Sequence, residues 1–233
     1  SFVFIMVPQG IVAAERINEV LEQENVQTFV EEDFGLNRIE TVEFRDVSFR
    51  YEGAEKEMLR NVNFTAKTGE KIAIIGSTGT GKSTMMNLLL RFLDATSGEV
   101  LYNGINIQNF TEKELRNQIA YVPQNRLLFA GTIRDNLRFG NENATDEEMI
   151  EALKLAEAWE FVSGLEDGLD AQVEQKGDNF SGGQKQRLSI ARALVKNASV
   201  QIYDDSFSAL DAKTEARLQI GRASCRERVC LYV

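Results

Sequence analysis

The sequence predicts an α/β fold, and three observations predict it. The first is the stretch Lys71–Thr84, where an apolar run passes through a glycine-rich turn into a helical pattern. The second is a pair of alternating, strand-like segments ahead of that turn, beginning at Arg38. The third is a series of helix-period segments behind it, interrupted by short apolar strands at Ile119–Val122 and Val200–Tyr203. Composition permits such a fold. Hydrophobic residues make up 43% and charged residues 27% of 233 positions, ordinary globular usage and enough for one large or two small domains.

The glycine-rich turn carries chemistry. Gly76–Ser83 fits G-x-x-x-x-G-K-[ST], the phosphate-binding loop or Walker A pattern. Gly76, Gly79 and Gly81 lack a Cβ, so the backbone turns tightly and brings its N–H groups against phosphate oxygens. The helix that follows directs the positive end of its dipole at the same anion. Lys82 is placed to reach the β and γ phosphates, and the Ser83 hydroxyl to hold Mg²⁺. Ser77, Thr78, Thr80 and Thr84 complete the loop and the first helical turn. Ile72, Ile74 and Ile75 read as a short buried strand before it. Met85, Leu88, Leu89 and Phe92, at i, i+3, i+4 and i+7, read as one apolar helix face after it.

The other elements follow in order. Phe2–Glu24 reads as a helix, first apolar and then amphipathic; it is either a soluble N-terminal helix or the inner end of a membrane helix. No stretch of 18 apolar residues occurs, and the start lacks the basic region and cleavage site of a secretory signal. Glu22–Asp33 is acidic and reads as a linker. Ile39, Val42, Phe44, Val47 and Phe49 alternate with one slip, which predicts a bulge. Leu59–Ala66 is a second strand, and the two place Tyr51 either beside a nucleotide base or simply at a strand end. Asn103-Gly104 between Val100–Tyr102 and Ile105–Ile107 predicts a hairpin. Thr111 and Glu114 have capping-box spacing, and Thr145 caps a helix running through Ala158 with Met149, Ala152, Leu153 and Ala156 on one face. Asn179–Gln184 opens another helix, and Val200–Tyr203 ends in two carboxylates, Asp204 and Asp205.

The net charge of −10 argues against nucleic acid as a partner, because a phosphate backbone calls for a basic stripe. The chain contains no histidine, which excludes a histidine-dependent mechanism within it. Its two cysteines, Cys225 and Cys230, make no disulfide framework and suit a reducing compartment.

From about Ile39 to about Leu218 these residues resemble the nucleotide-binding domain of an ABC transporter of the exporter type. NFSGGQKQR at Asn179–Arg187 is similar to the family signature, Tyr121-Val-Pro-Gln124 to its Q-loop, Val200–Asp204 to its Walker B strand and Ser208-Ala-Leu-Asp211 to its D-loop. Leu128–Leu137 is similar to the exporter segment that follows the Q-loop, and Ala13-Ala-Glu-Arg-Ile17 to the exit from the last transmembrane helix. The resemblance implies a P-loop NTPase fold: a mostly parallel sheet flanked by helices, an antiparallel β subdomain over about Ile39–Ile107, and a helical signature subdomain over about Thr111–Leu194. It implies ATP and Mg²⁺ as ligands. Tyr51 would stack adenine, and Ser83, Gln124 and Asp204 would hold the metal, with Gln124 also coupling the site to the membrane domain. Ser181, Gly182, Gly183 and Gln184 would bind ATP held by a second subunit, and Asp211 would lie across that interface. Glu174–Gly177 either occupies the segment that touches the coupling helices or is a surface loop. The resemblance also implies an inner-membrane setting with the ATPase domain on the cytoplasmic side.

Two departures from the pattern stand out. Where active members carry a catalytic Glu, this chain has Asp205, one methylene shorter. A carboxylate misplaced by about 1 Å costs roughly 10²-fold in rate, so the chain's own site is expected to hydrolyse ATP slowly. Together with an intact signature this favours a heterodimer of half-transporters, Asp205 remaining the catalytic carboxylate beside Gln124; the alternatives are a regulatory ATP-binding module without turnover and a soluble ABC ATPase of an importer. The expected domains are 1–37, the end of a transmembrane helix and a linker; 38–219, the nucleotide-binding domain, cut before its switch loop; and 220–233. Ile220–Cys230 resembles one reading frame of a sequencing adapter, so that last segment is expected to be non-native and without order, against the alternative of a genuine basic C-terminal helix.

Overall fold

The computed structural model describes residues 2–22, 27–125, 127–204 and 228–232. The elements are α1 (Phe2–Leu21), β1 (Thr41–Phe49), β2 (Leu59–Lys67), β3 (Lys71–Ala73), α2 (Lys82–Leu89), β4 (Ser97–Tyr102), β5 (Ile105–Asn106), α3 (Glu112–Gln118) and β6 (Ile119–Val122). They continue with β7 (Gly131–Thr132), α4 (Ile133–Arg138), α5 (Asp146–Leu155), α6 (Trp159–Ser163), β8 (Gln172–Val173), α7 (Gly182–Val195), β9 (Val200–Tyr203) and β10 (Val229–Tyr232). The α/β class is as the sequence predicts.

An antiparallel sheet, ordered β2-β1-β4-β5, forms the first layer. Phe44 faces Phe64 across β1 and β2, and the rings stack with centroids 4.7 Å apart, a cross-strand pair that helps fix the register. The predicted slip is present. The register shifts on both sides of Val47, and Asp46 takes a positive φ of 50°. Gly98 on the opposing strand is required by this bulge: a Cβ there would lie 2.3 Å from the Asp46 carbonyl oxygen. Asn103 and Gly104 both have positive φ, 53° and 78°, the backbone of a type I′ hairpin turn.

The second sheet is parallel in every pairing, ordered β3-β10-β9-β6. All four residues of β9 are buried, as expected for a parallel strand covered on both faces. The expectation that the tail lacks order does not hold for Val229–Tyr232. This run is apolar on both faces, and it pairs Cys230 with Lys71 on one side and with Gln201 on the other. It thereby fills the slot between two strands that would otherwise present bare edges.

Helix α2 lies between the sheets. Met86, Leu88 and Leu89 share one core with Phe44 and Tyr102 of the antiparallel sheet and with Val200, Ile202 and Leu231 of the parallel one. A second core under the helical region gathers Ile133, Leu137, Met149, Leu153 and Leu188. Three boundaries differ from the sequence expectation. Helix α2 ends at Leu89, and Arg91 turns the chain with a φ of 50°, so Phe92 leaves the apolar face and is 50% exposed. Helix α5 ends at Leu155 rather than Ala158, because Glu157 adopts a φ of 54° before α6 begins. Strand β3 stops at Ala73, and Ile75 is exposed beside the glycine-rich turn.

Residues 27–38 are strapped to the domain. The buried Arg91 guanidinium donates to the Thr28 carbonyl at 2.8 Å and lies 4.3 Å over the Phe29 ring. Phe34 meets Phe110 edge-on at 5.5 Å. The Glu114 carboxylate accepts the Gly35 N–H at 2.7 Å, the Leu36 N–H at 2.9 Å and the Thr111 N–H at 2.9 Å, the last closing the predicted capping box of α3. The C-cap of α3, Ile119, is also the first residue of β6, so no loop separates the two. Among the described residues no helix is long and apolar enough to cross a membrane.

Burial raises the Glu114 pKa, but the N–H groups of Leu36, Thr111, Phe34 and Gly35 outweigh it and bring it from 4.5 to about 2. A pKa lowered by folding gives stability that is complete above pH 4.5 and is lost as the pH falls through 2. Replacing Glu114 by Ala strands several donors and is expected to cost about 2 kcal/mol in urea unfolding at pH 7. The same variant is expected to lose most of the difference from the parent at pH 2.

Candidate nucleotide site

The site is built where β3 meets α2. Four described helices, α3, α4, α5 and α7, begin with a capping box in which a Ser or Thr hydroxyl accepts an N–H of the first turn. Helix α2 does not. Its N-cap is Gly81, at φ 91°, with no side chain to accept those N–H groups. The first turn of α2 therefore presents N–H groups that no cap side chain accepts, together with the positive end of the dipole, an arrangement suited to an anion. Gly81 is required twice over. Its φ is left-handed, and a Cβ would lie 2.8 Å from Leu59 Cδ2 and 3.2 Å from the Met58 carbonyl oxygen. At Gly76 a Cβ would come within 2.6 Å of Thr80 Oγ1.

A cavity of about 670 Å³ opens over this turn. It is lined by Tyr51, Met58, Gly76, Ser77, Thr78, Gly79, Gly81, Lys82, Ser83, Thr84, Gln124 and Asp204, with Ile74 and Ile75 completing the wall. Lys82 Nζ donates to the carbonyls of Gly76 at 2.9 Å and Ser77 at 3.1 Å, so the ammonium sits across the mouth of the loop. Thr80 is not on the wall; its hydroxyl donates to the Ser77 carbonyl at 2.8 Å and braces the turn. Tyr51 stands 40% exposed at the rim. Its hydroxyl lies 3.0 Å from Thr84 Oγ1, and Phe49 holds its ring edge-on at 4.8 Å.

Asp204 emerges from the carboxyl end of β9 and is 8% exposed. Its N–H donates to the Val122 carbonyl at 3.0 Å, and its Oδ2 accepts the Tyr121 hydroxyl at 3.0 Å. Burial, then the Asp204 charge, pushes the Tyr121 phenol above its ordinary range, so the hydroxyl stays a donor. Gln124 follows β6 and borders two clefts, this one and a neighbour of about 520 Å³ that includes Gly182 and Lys185.

Of the other residues expected in the site, Ser181, Gly183 and Gln184 do not line the first cavity. Ser181 caps α7, accepting the Gln184 N–H at 3.3 Å, while Gln184 Oε1 accepts the Ser181 N–H at 2.9 Å. Asp205 and Asp211 lie outside the described residues. The Glu174–Gly177 segment forms a short 3₁₀ turn, Gln175–Gly177, whose Lys176 carbonyl accepts from Lys185 at 2.9 Å. Sequence reasoning missed Met58 as part of the wall and Tyr121 as the partner of Asp204. The second was within reach, because Tyr121 lies three residues before Gln124 on a strand of the same sheet as β9.

The donors suit a nucleotide with its metal. Ser83, Gln124 and Asp204 offer only oxygen or amide groups to one cavity, and Mg²⁺ takes oxygen ligands, keeping water and substrate phosphates in its shell. Among the described residues no group of three or more Asp, Glu, His or Cys is gathered, so any metal here would draw on phosphate oxygens and water.

An uncapped helix behind a glycine-rich loop, a strand-end carboxylate and an aromatic at the rim define a P-loop ATP-binding domain. The chain belongs to the ABC transporter family, whose pattern matches residues 59–208. Over 218 residues it is 44% identical to YfiB of Bacillus subtilis (strain 168), an ABC transporter ATP-binding protein, covering 93% of this chain and 38% of that one. Over 178 residues it is 44% identical to SAV1866 of Staphylococcus aureus (strain Mu50), named as a multidrug export ATP-binding/permease protein, covering 76% of this chain and 31% of that one. A bacterial Atm1-family ABC exporter solved with ATP bound superposes with a TM-score of 0.87 at 33% identity, over 99% of this chain and 41% of its own. The chain thus spans well under half the length of these relatives.

Gly81→Ala is expected to weaken ATP binding by about tenfold or more, since left-handed strain of about 1–3 kcal/mol adds to the contact with Leu59. Titration with a fluorescent ATP analogue, with circular dichroism to confirm folding, checks this; unchanged affinity would contradict the role given to the turn.

Proposed function

We propose that the chain is the ATP-binding and hydrolysing domain of an ABC exporter, driving substrate across a membrane through ATP-dependent dimerisation. The observation that carries this reading is the single cavity on which Tyr51, the phosphate loop, Gln124 and Asp204 converge. Tyr51 presents its ring to the adenine, braced by Phe49 and Thr84. The N–H groups of Gly76–Gly81 and of the first turn of α2 receive the phosphates. Lys82 exchanges its two carbonyl partners for β- and γ-phosphate oxygens. Bound Mg²⁺ supplies charge neutralisation at those oxygens, and Ser83, Asp204 and Gln124 are the residues to hold it. Gln124, bordering both clefts, is the residue to couple occupancy to the membrane domain. Ser181, Gly182, Gly183 and Gln184 close on ATP held by a second subunit, with Asp211 across that interface. The names of the exporter relatives support the exporter assignment.

Asp205 takes the place of the water-polarising Glu. On this reading the chain's own site turns over slowly, and the protein works as one half of a heterodimer whose partner site its signature completes. We assign residues 1–37 to the end of the last transmembrane helix and its linker, 38–219 to the nucleotide-binding domain and 220–233 to sequence of non-native origin, of which Val229–Tyr232 nonetheless occupies a strand of the domain's parallel sheet. The setting is the inner membrane, with the ATPase domain on the cytoplasmic side.

The test is ATP hydrolysis by the full-length gene product, alone and with its neighbouring half-transporter. Activity is expected only with the partner, with a rise of about tenfold or more in Asp205→Glu. Brisk activity of the unpaired protein would overturn the heterodimer, and no turnover in either state would leave a purely regulatory ATP-binding module.

A further inference from the structure

We infer that Tyr121 is a positioning residue for the Asp204 carboxylate, and that its hydroxyl tunes the affinity of the site for a divalent cation. The inference rests on the ATP-binding reading above. Three observations support it. The Tyr121 hydroxyl donates to Asp204 Oδ2 at 3.0 Å, so one carboxylate oxygen is committed to a fixed direction. The Asp204 backbone is fixed independently by its N–H donating to Val122 at 3.0 Å. Both partners belong to β6, whose parallel register with β9 sets Tyr121 against Ile202 and Val122 against Tyr203. The side chain is therefore held at its root and at its tip by adjacent residues of one neighbouring strand.

A carboxylate pinned in this way has lost its rotation before a cation arrives. Groups that orient a metal-ligating side chain through its remaining oxygen typically change metal affinity by about 10–100-fold when removed. Tyr121 is suited to this by its environment. Its ring packs against the core between the sheets, so the hydroxyl reaches Asp204 from a rigid base. Tyr121→Phe keeps that packing and removes only the donor.

The experiment measures binding of a fluorescent ATP analogue by the full chain, in EDTA and across a Mg²⁺ titration, together with direct Mn²⁺ binding by electron paramagnetic resonance. Tyr121→Phe is expected to match the parent in EDTA. It is also expected to need about tenfold more Mg²⁺ to reach the tight state and to bind Mn²⁺ correspondingly more weakly. An unchanged Mg²⁺ midpoint, or an equal loss of affinity with and without metal, would overturn the inference. Lys82→Ala, expected to weaken both arms alike, serves as the contrast. A parent chain that binds no nucleotide in either arm would instead defeat the ATP-binding reading and this inference with it.

Discussion

The register between β6 and β9 is the constraint on which the site depends. Ile119 lies against Val200 and Val122 against Tyr203, so the two strands finish level and release Gln124 and Asp204 into the same cavity. A slip of one residue would turn Tyr121 away from Asp204 and carry every β9 side chain to the opposite face. Packing forbids that slip. Val200 and Ile202 fill the core around α2, whereas Tyr203 belongs to the core beneath the helical region. Within β9 itself the Tyr203 hydroxyl donates to the buried Gln201 side chain at 2.9 Å, which gives that polar group a partner inside the strand. Two cores of different shape thus lock one strand from its two faces, and the carboxyl end of the sheet becomes the floor of a ligand cavity.

Electrostatic supply at that floor comes from what is withheld. Most helix starts in this domain consume their own N–H groups through a hydroxyl and a returning carboxylate or amide. The helix behind the phosphate loop leaves them unspent. An unsatisfied turn of this kind is a cost to the isolated domain, tolerable because it lies at the surface where water reaches it. The same logic suits the placement of Lys82 on the carbonyls of its own loop, since these are neutral partners that a phosphate can displace.

Much of this was legible in the sequence because it is local. The phosphate loop, the Asn103-Gly104 turn and the capping boxes at Thr111 and Thr145 are each specified within a few residues, and each stands where the pattern puts it. The bulge in β1 was legible as a slip in alternation, but its partner, Gly98, was not. Boundaries failed where one residue enters the left-handed region without being glycine, as Arg91 and Glu157 do. Long-range contacts were the least visible. Nothing near Tyr121 announces Asp204, 83 positions away, and nothing in the acidic stretch ending at Asp33 announces Arg91 or Glu114. The tail shows the opposite error, in which four apolar residues suffice to occupy a central strand whatever their neighbours resemble.

The strap over residues 27–38 has a mechanical corollary. It ends on Glu114, and Glu114 belongs to a helix that becomes a strand with no slack between them. That strand carries Tyr121, and the chain leaving it brings Gln124 to the cavity wall. The acidic stretch and the cavity are thus joined by a short route: a carboxylate that grips the backbone of Gly35 and Leu36, then a helix and a strand laid end to end. A covalent path of one helix and one strand therefore links the anchor of residues 35–36 to the wall of the cavity.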